Sequence, residues 1–281
     1  MFLITGATGH IGGKLIDALL GQGHEVRAFV RDPDRAAGLP DGADLAVGDL
    51  DDAASVNAVV KGVTGIFHMQ ASHGTSQTAT MIQAARNAGV SRIVALSSIG
   101  AVLKPMPAMG AWFRAREDLL RASGLDVTYL RPNTLMTNAL WWAQSIGRDG
   151  TVTDASGPGR MSCVDPDDIA AVAAVTLTQP GHEGHGYILT GPQALTSREQ
   201  VGILAQVLGR PVTFTDTTPE ELADSSVAHG TPREAADAME NLTELFRAGR
   251  AGILTDDIKN VTHQEPGSFR AWCERNATAF S

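Results

Sequence analysis

Cysteine is nearly absent from the 281-residue chain, and the two present, Cys163 and Cys273, lie far apart. Neither has a second thiol or a histidine at ligand spacing, so a disulfide framework and a thiolate zinc site are both unsupported, and no metal is expected. Tyrosine is equally scarce, with Tyr129 and Tyr187 the two representatives. Basic runs are missing, and 22 Lys and Arg stand against 31 Asp and Glu for a formal charge of −9. Nucleic-acid binding needs a basic stripe to displace phosphate counterions, so it is excluded as an expectation. The longest apolar stretch, residues 169–177, is far shorter than a membrane span. The opening residues 2–4 are apolar but short and carry no basic leader, so a cytoplasmic protein is expected, with no membrane partner.

What is present is ordinary globular composition, 43% hydrophobic and 19% charged. Short apolar runs at 2–5, 25–30, 45–47, 65–69, 92–97 and 126–131 alternate with stretches of helical period. Between the first two runs Ile11, Leu15, Ile16, Leu19 and Leu20 form one buried helix face, closed by Gly21 and Gly23. Similar periodicity covers 53–60, 78–88 and 115–122. Strands joined by helical crossovers predict an α/β, doubly wound parallel Rossmann sheet. After Pro132 the pattern changes: helix at 138–146, a polar loop at 147–159 with room for a short strand, a helix from Pro166 capped by Asp165, then a strand at 186–189. The remainder reads as helices at 197–208, 219–228 and 232–247 with a strand at 211–215, and Ser197 with Gln200 fits a capping box. The Pro- and Met-rich stretch 104–109 reads as a loop over the site.

The chemistry is concentrated in Gly6-Ala7-Thr8-Gly9-His10-Ile11-Gly12, which follows the first strand and opens the first helix. Gly6 permits the tight turn, Gly9 lets the backbone approach a pyrophosphate, and Gly12 allows close helix packing. The helix N-terminus then offers free amides to the phosphates. The second strand ends in Arg31 where NAD-specific sites place an acid. Arg31 suits the 2′-phosphate of NADP(H), or else is a solvated side chain paired with Asp32 or Asp34. Asp49, followed by Leu50, either accepts from the adenine amino group or caps the helix that begins near Asp51.

With these residues the chain resembles the NmrA-like branch of the atypical short-chain dehydrogenase/reductases, over nearly its whole length. The opening Thr5–Gly12 is similar to that family's TGATGxxG, residues 26–33 to its VRALVRDP, and Gly48-Asp49-Leu50 to its GDL. Ser123-Gly124-Leu125 with Leu130-Arg131-Pro132, Asp168-Ile169-Ala170, and Leu189-Thr190-Gly191-Pro192 match its later motifs in order. The resemblance implies an NADP-binding Rossmann domain at 1–131 plus 165–190, and a smaller, mainly helical substrate lobe at 132–164 plus 191–281. It further implies that Thr8, Gly9, His10 and Ile11 surround the pyrophosphate, and that Met69, Gln70 and Ala71 meet the nicotinamide-side ribose. Ser97, Pro132 and Asn133 would lie near the nicotinamide. Met136, Trp141, Trp142 and Phe113 are the candidates for an aromatic-substrate pocket, although two adjacent helical tryptophans point about 100° apart.

One departure bears on mechanism. Members of the wider superfamily use a Tyr-x-x-x-Lys pair as proton donor. Four residues beyond Tyr129 and Tyr187 stand Asn133 and Gly191. The catalytic residues are therefore open: water supplies the proton to an undemanding acceptor, or His68, His73 or Ser97 does, or the protein binds NADP(H) without turnover as a regulatory sensor. The leading expectation is an NADPH-dependent oxidoreductase acting on an apolar, aromatic, quinone or polycyclic ketone compound. A nucleotide-sugar epimerase is the weakest reading, because it needs the same absent tyrosine. Oligomeric state is not encoded in any of these features.

Overall fold

The computed structural model describes residues 1–70 and 72–281. Its centre is a seven-stranded parallel sheet built from β1 (Phe2–Thr5), β2 (Val26–Val30), β3 (Asp44–Val47), β4 (Gly65–His68), β5 (Arg92–Leu96), β6 (Asp126–Pro132) and, later in the chain, β9 (Gly186–Leu189). The strands lie in the order β3-β2-β1-β4-β5-β6-β9, the doubly wound arrangement expected from the alternating pattern. Successive side chains leave the sheet on opposite faces. Ile4, Phe67, Val94 and Leu130 thus join α1 (His10–Gly21) and α6 (Pro166–Thr178), through Leu15, Ile16, Ile169 and Ala173. Leu3, Ile66, Ile93 and Val127 face the other layer, α2 (Ala53–Val59), α3 (Ser76–Ala88) and α4 (Ala108–Ala122).

A third cluster gathers Met136, Ile146, Val152, Met161, Val201, Leu204, Phe269, Trp272 and Phe280 outside the sheet. It is enclosed by α5 (Ala143–Asp149), α7 (Ser197–Leu208) and α11 (Phe269–Asn276), with two small sheets. One pairs β7 (Thr151–Asp154) with β11 (Thr213–Asp216) in parallel, and the other pairs β8 (Arg160–Met161) with β10 (Leu195–Thr196) antiparallel. Helices α8 (Pro219–Ala228) and α9 (Arg233–Arg247) pack on each other beside it. None of the described helices is long and apolar enough to cross a membrane.

The structure departs from the sequence expectation in several places. Residues 138–146 do not form one helix: a 3₁₀ stretch, Met136–Trp142, precedes α5. The capping box lies one residue earlier than expected, with Thr196 and Glu199 exchanging bonds of 3.1 and 2.9 Å, because Ser197 is buried against Ser156. Helix α4 begins seven residues before the expected 115, the turn ahead of it being held by Ala108 N–H donating to Asn241 Oδ1 on α9. Finally α10 (Asp257–Thr262), from the segment expected in the lobe, packs against α6 and β9 and places Ile258 and Val261 in the sheet core. Its approach covers the outer edge of β9: Ile188 N–H donates to Asp257 Oδ2 at 2.7 Å, and the Thr255 hydroxyl donates to Ile188 O.

Candidate active site

Gly6 leaves β1 with φ +65°, a left-handed turn where a Cβ would come 2.7 Å from Met69 Sδ. Thr5 fixes that turn against β4, its hydroxyl donating to Met69 O and accepting from Met69 N–H, both at 2.8 Å. Gly9 caps α1 with no side-chain partner, so the first amides of the helix are left for a ligand. At Gly12 a Cβ would stand 2.2 Å from Gly6 O and 2.8 Å from Ala7 Cα. The helix therefore seats directly on the loop, which a side chain would prevent. These crowded positions make a cradle that suits a dinucleotide pyrophosphate, with His10, Ile11 and Gly12 offering backbone amides while the Gly9 N–H closes the turn onto Gly6 O at 3.0 Å. Ile11 contributes nothing else, since its side chain belongs to the sheet core.

Beside the loop lies a cleft of about 350 Å³ lined by Thr5, Gly6, Ala7, Thr8, Arg31, Asp49, Leu50 and Met69. The sequence reading did not foresee Phe29, Gly48, Asp51, Ser72 or Gln77, which also line it. Gly48 had a local signal in its GDL context, whereas Ser72 and Gln77 arrive by folding of the segment after β4. Arg31 is exposed and, among the described residues, enters no ion pair; Asp32 instead accepts from Asp34 N–H. Arg31 thus pairs with neither Asp32 nor Asp34. Asp49 accepts from Asp51 N–H at 2.9 Å, and the cap of α2 is Asp52, not Asp49.

Further along the carboxyl-terminal edge, Gln70 turns its amide inward, donating to Ser72 Oγ and to Gly74 O. Its carbonyl accepts from the Thr78 hydroxyl. Ala71 lies outside the described residues. His68 is buried, with Nε2 3.2 Å from the Thr78 oxygen. Because Thr78 gives its proton to Gln70, that contact requires His68 Nε2–H as donor, leaving Nδ1 buried without a partner. Burial lowers the His68 pKa to about 4, opposed by the neighbouring Gln70 amide and reinforced by the Arg116 charge. A neutral, enclosed imidazole is no proton donor to a substrate. His73 is exposed and stacks on Trp112 with ring centres 4.1 Å apart.

Ser97, at the end of β5, is tied to a group that the sequence reading missed. Its hydroxyl donates to Glu117 Oε1 at 2.6 Å, and Glu117 also receives Arg131 through Nε at 2.9 Å and Nη2 at 2.7 Å. Glu117 is 1% exposed, and although burial opposes its charge, the bonds from Arg131 and Ser97 hold its pKa below the ordinary value. Phe113, one turn earlier on α4, lies beside Ser97 with the Arg116 guanidinium 4.9 Å from its ring. An ion-paired carboxylate, not a free acid, therefore stands beside Ser97.

Pro132 is buried, and Asn133 uses both ends of its amide, donating to Ala251 O at 2.8 Å and accepting from Thr134 N–H at 2.7 Å. Immediately beyond, Thr134 and Leu135 open a second cavity of about 560 Å³. Trp141, Trp142, Met161, Leu222, Met239 and Phe246 give it an apolar wall. Both tryptophans line it, Trp141 from an exposed rim at 68% and Trp142 from beside the lobe core. Met136 does not: at 1% exposure it packs under Gly191 in that core, a correction to its expected role. Phe113 lines neither large cavity.

Residues 6–180 match the model of a family described as NAD(P)H-binding. Over 100% of its length the chain is 34% identical to a (4-alkanoyl-5-oxo-2,5-dihydrofuran-3-yl)methyl phosphate reductase of Streptomyces griseus subsp. griseus, covering 99% of that protein. It is 33% identical, with the same coverage, to an NAD(P)H azoreductase of Xenophilus azovorans. Among solved structures, an NADPH-dependent quinone oxidoreductase of Escherichia coli complexed with NADPH superposes with a TM-score of 0.87 at 24% identity, covering 98% of this chain and 99% of that one.

Proposed function

The chain belongs to the NAD(P)H-binding family and is an NAD(P)H-dependent oxidoreductase, and from that premise we propose that it uses NADPH to reduce apolar, aromatic acceptors of quinone, azo or polycyclic ketone type. One observation carries this reading: the glycine-loop cleft with Arg31 and the tryptophan-walled cavity lie along the same carboxyl-terminal edge of the sheet, with Ser97 and Asn133 between them. Open α/β sheets bind ligands at that edge. The relatives named for azo and furanone reduction share the full length of the chain, lobe included.

Bound NADPH supplies the hydride. The residues of this chain supply position and charge. The α1 amides take the phosphates, Arg31 the 2′-phosphate, and Asp49 the adenosine end. Trp141, Trp142 and Phe246 offer flat apolar contact to a planar acceptor. The Ser97 hydroxyl donates its hydrogen bond to Glu117, His68 is buried neutral and His73 lines neither large cavity, so none of the three protonates the product. Water is left as the source, which fits acceptors whose reduction needs little acid assistance. The test is NADPH consumption against a panel of quinones, azo dyes and polycyclic ketones, with turnover expected for planar aromatic members. Tight NADPH binding without turnover of any member would overturn the proposal and favour a cofactor-sensing role.

A further inference from the structure

The wall of the lobe cavity carries charge of one sign. Its ionisable side chains are two carboxylates, Asp154 at the end of β7 and Glu240 on α9, apart from the thiol of Cys163; no lysine, arginine or histidine lines it. Glu240 is half-buried and, among the described residues, forms no salt bridge or side-chain hydrogen bond, while Asp154 accepts from Ser156 N–H at 2.8 Å. Nearby bases are committed elsewhere. Arg247, adjoining Phe246, is bound to Asp216, Ala155 O and Thr217 O. Arg233 pairs with Asp224 and Asp237, and Arg160 with Glu199. Lys104, on the loop that leans on α9, is exposed and stands outside the lining.

We propose that this cavity selects its substrate by charge, accepting cationic and neutral aromatic acceptors and rejecting anionic ones, with Glu240 as the selecting residue. This rests on the reading of the cavity as the acceptor site. An anion entering it would lose hydration and meet two carboxylates with no cationic side chain to compensate, only neutral hydroxyl, amide and indole donors. A cation would meet a carboxylate without an ion-pair partner, in a cavity whose wall also holds two indole rings, groups that attract positive charge. The chain thereby departs from its relative named as a phosphate ester reductase: a phosphate monoester finds no cationic clamp among these lining residues. The carboxylate on α9 and the tryptophans of the 3₁₀ stretch stand on opposite sides of the sequence, so the selection arises only when the lobe is folded.

The test uses one naphthoquinone carried in three forms: neutral, with a sulfonate, and with a trimethylammonium group. Each charge sits on the same alkyl spacer, so the redox potential of the ring is held constant. Steady-state kinetics at saturating NADPH are expected to give kcat/KM in the order cation, neutral, anion, with about tenfold or more between the extremes residing in KM. Glu240→Lys is expected to reverse the order of cation and sulfonate, and Glu240→Gln to compress the difference. NADPH-induced thermal stabilisation serves as the folding control for both variants. Equal kcat/KM for cation and sulfonate, or a ratio unmoved by Glu240→Lys, overturns the inference while leaving the proposed reductase intact. Absence of turnover with all three overturns the reductase reading instead. Quenching of tryptophan fluorescence by the cationic and sulfonated probes then decides the charge preference by binding alone, equal affinities counting against it.

Discussion

The Ser97 hydroxyl donates a hydrogen bond to Glu117 across 2.6 Å, and the same carboxylate grips Arg131 through two nitrogens. Removing the acid alone leaves a largely buried guanidinium uncompensated. Glu117→Ala is expected to destabilise the fold by about 3–5 kcal/mol, read from urea unfolding. Ser97→Ala leaves the ion pair in place. It should reduce turnover by less than about tenfold, whereas loss of a general acid costs about 10²–10⁴. A loss in that higher range would restore Ser97 as proton donor.

Arg31→Ala is expected to weaken NADPH binding by about 10–100-fold, the value of charge-assisted hydrogen bonds to a phosphate, while NADH affinity barely changes. Fluorescence titration with the two cofactors checks this. Equal losses for both would place Arg31 against the adenine, not the 2′-phosphate.

Gly12→Ala would force a methyl group to within 2.2 Å of Gly6 O, with backbone on both sides of the contact. Separation of α1 from the loop is expected to cost about 1–3 kcal/mol and to weaken NADPH binding along with stability. Calorimetric melting with and without NADPH reads both effects.

His68 is neutral in the native protein down to about pH 4, against an ordinary value of 6.5. Between those values the unfolded chain takes up a proton that the native chain refuses. Native stability from this group therefore falls as pH drops from 6.5 towards 4, by on the order of 3 kcal/mol. Asp168, pushed up to about 6 by burial, works in the opposite sense, losing stability as pH rises through that value. Comparison with His68→Asn cancels the common Asp168 contribution. The stability gap between wild type and variant should move in favour of the variant as pH falls through this window, and a flat gap would mean a charged native imidazole.

Burial pushes both thiols, Cys163 and Cys273, up to about 12. Under native conditions at neutral pH a disulfide reagent should react slowly, and both thiols should titrate rapidly once the chain is unfolded in urea. Rapid native labelling would indicate that the lobe cavity opens around Cys163.

The sheet was readable because its information is local: apolar runs, helical period and the three glycines each declare themselves within a dozen residues. Arg31 and Asp49 were readable for the same reason, as they follow strands directly. Glu117 was not, since its meaning depends on Ser97 and Arg131, which reach it from two neighbouring strands. The helices at Asp257–Thr262 and Phe269–Asn276 escaped notice because each is short and mixes polar residues with few apolar anchors. Met136 looked like a pocket residue by proximity to Asn133, but the bridge between Leu135 and Val164 turns its side chain into the lobe core. The charge of the lobe cavity depends on joining residues 154 and 240, and no periodicity links them.

The covering of β9 by Thr255 and Asp257 makes the two borders of the sheet unequal. At that border the outward N–H and C=O of Ile188 are already occupied. At the far border β3 has a neighbour on one side only, and Leu45 and Val47 are exposed there at 45% and 57%. Unpaired strand edges recruit other strands, whereas covered ones do not. Strand-by-strand self-association through the central sheet consequently has one border at which to begin, and a lysine at position 45 or 47 would be the economical way to discourage it.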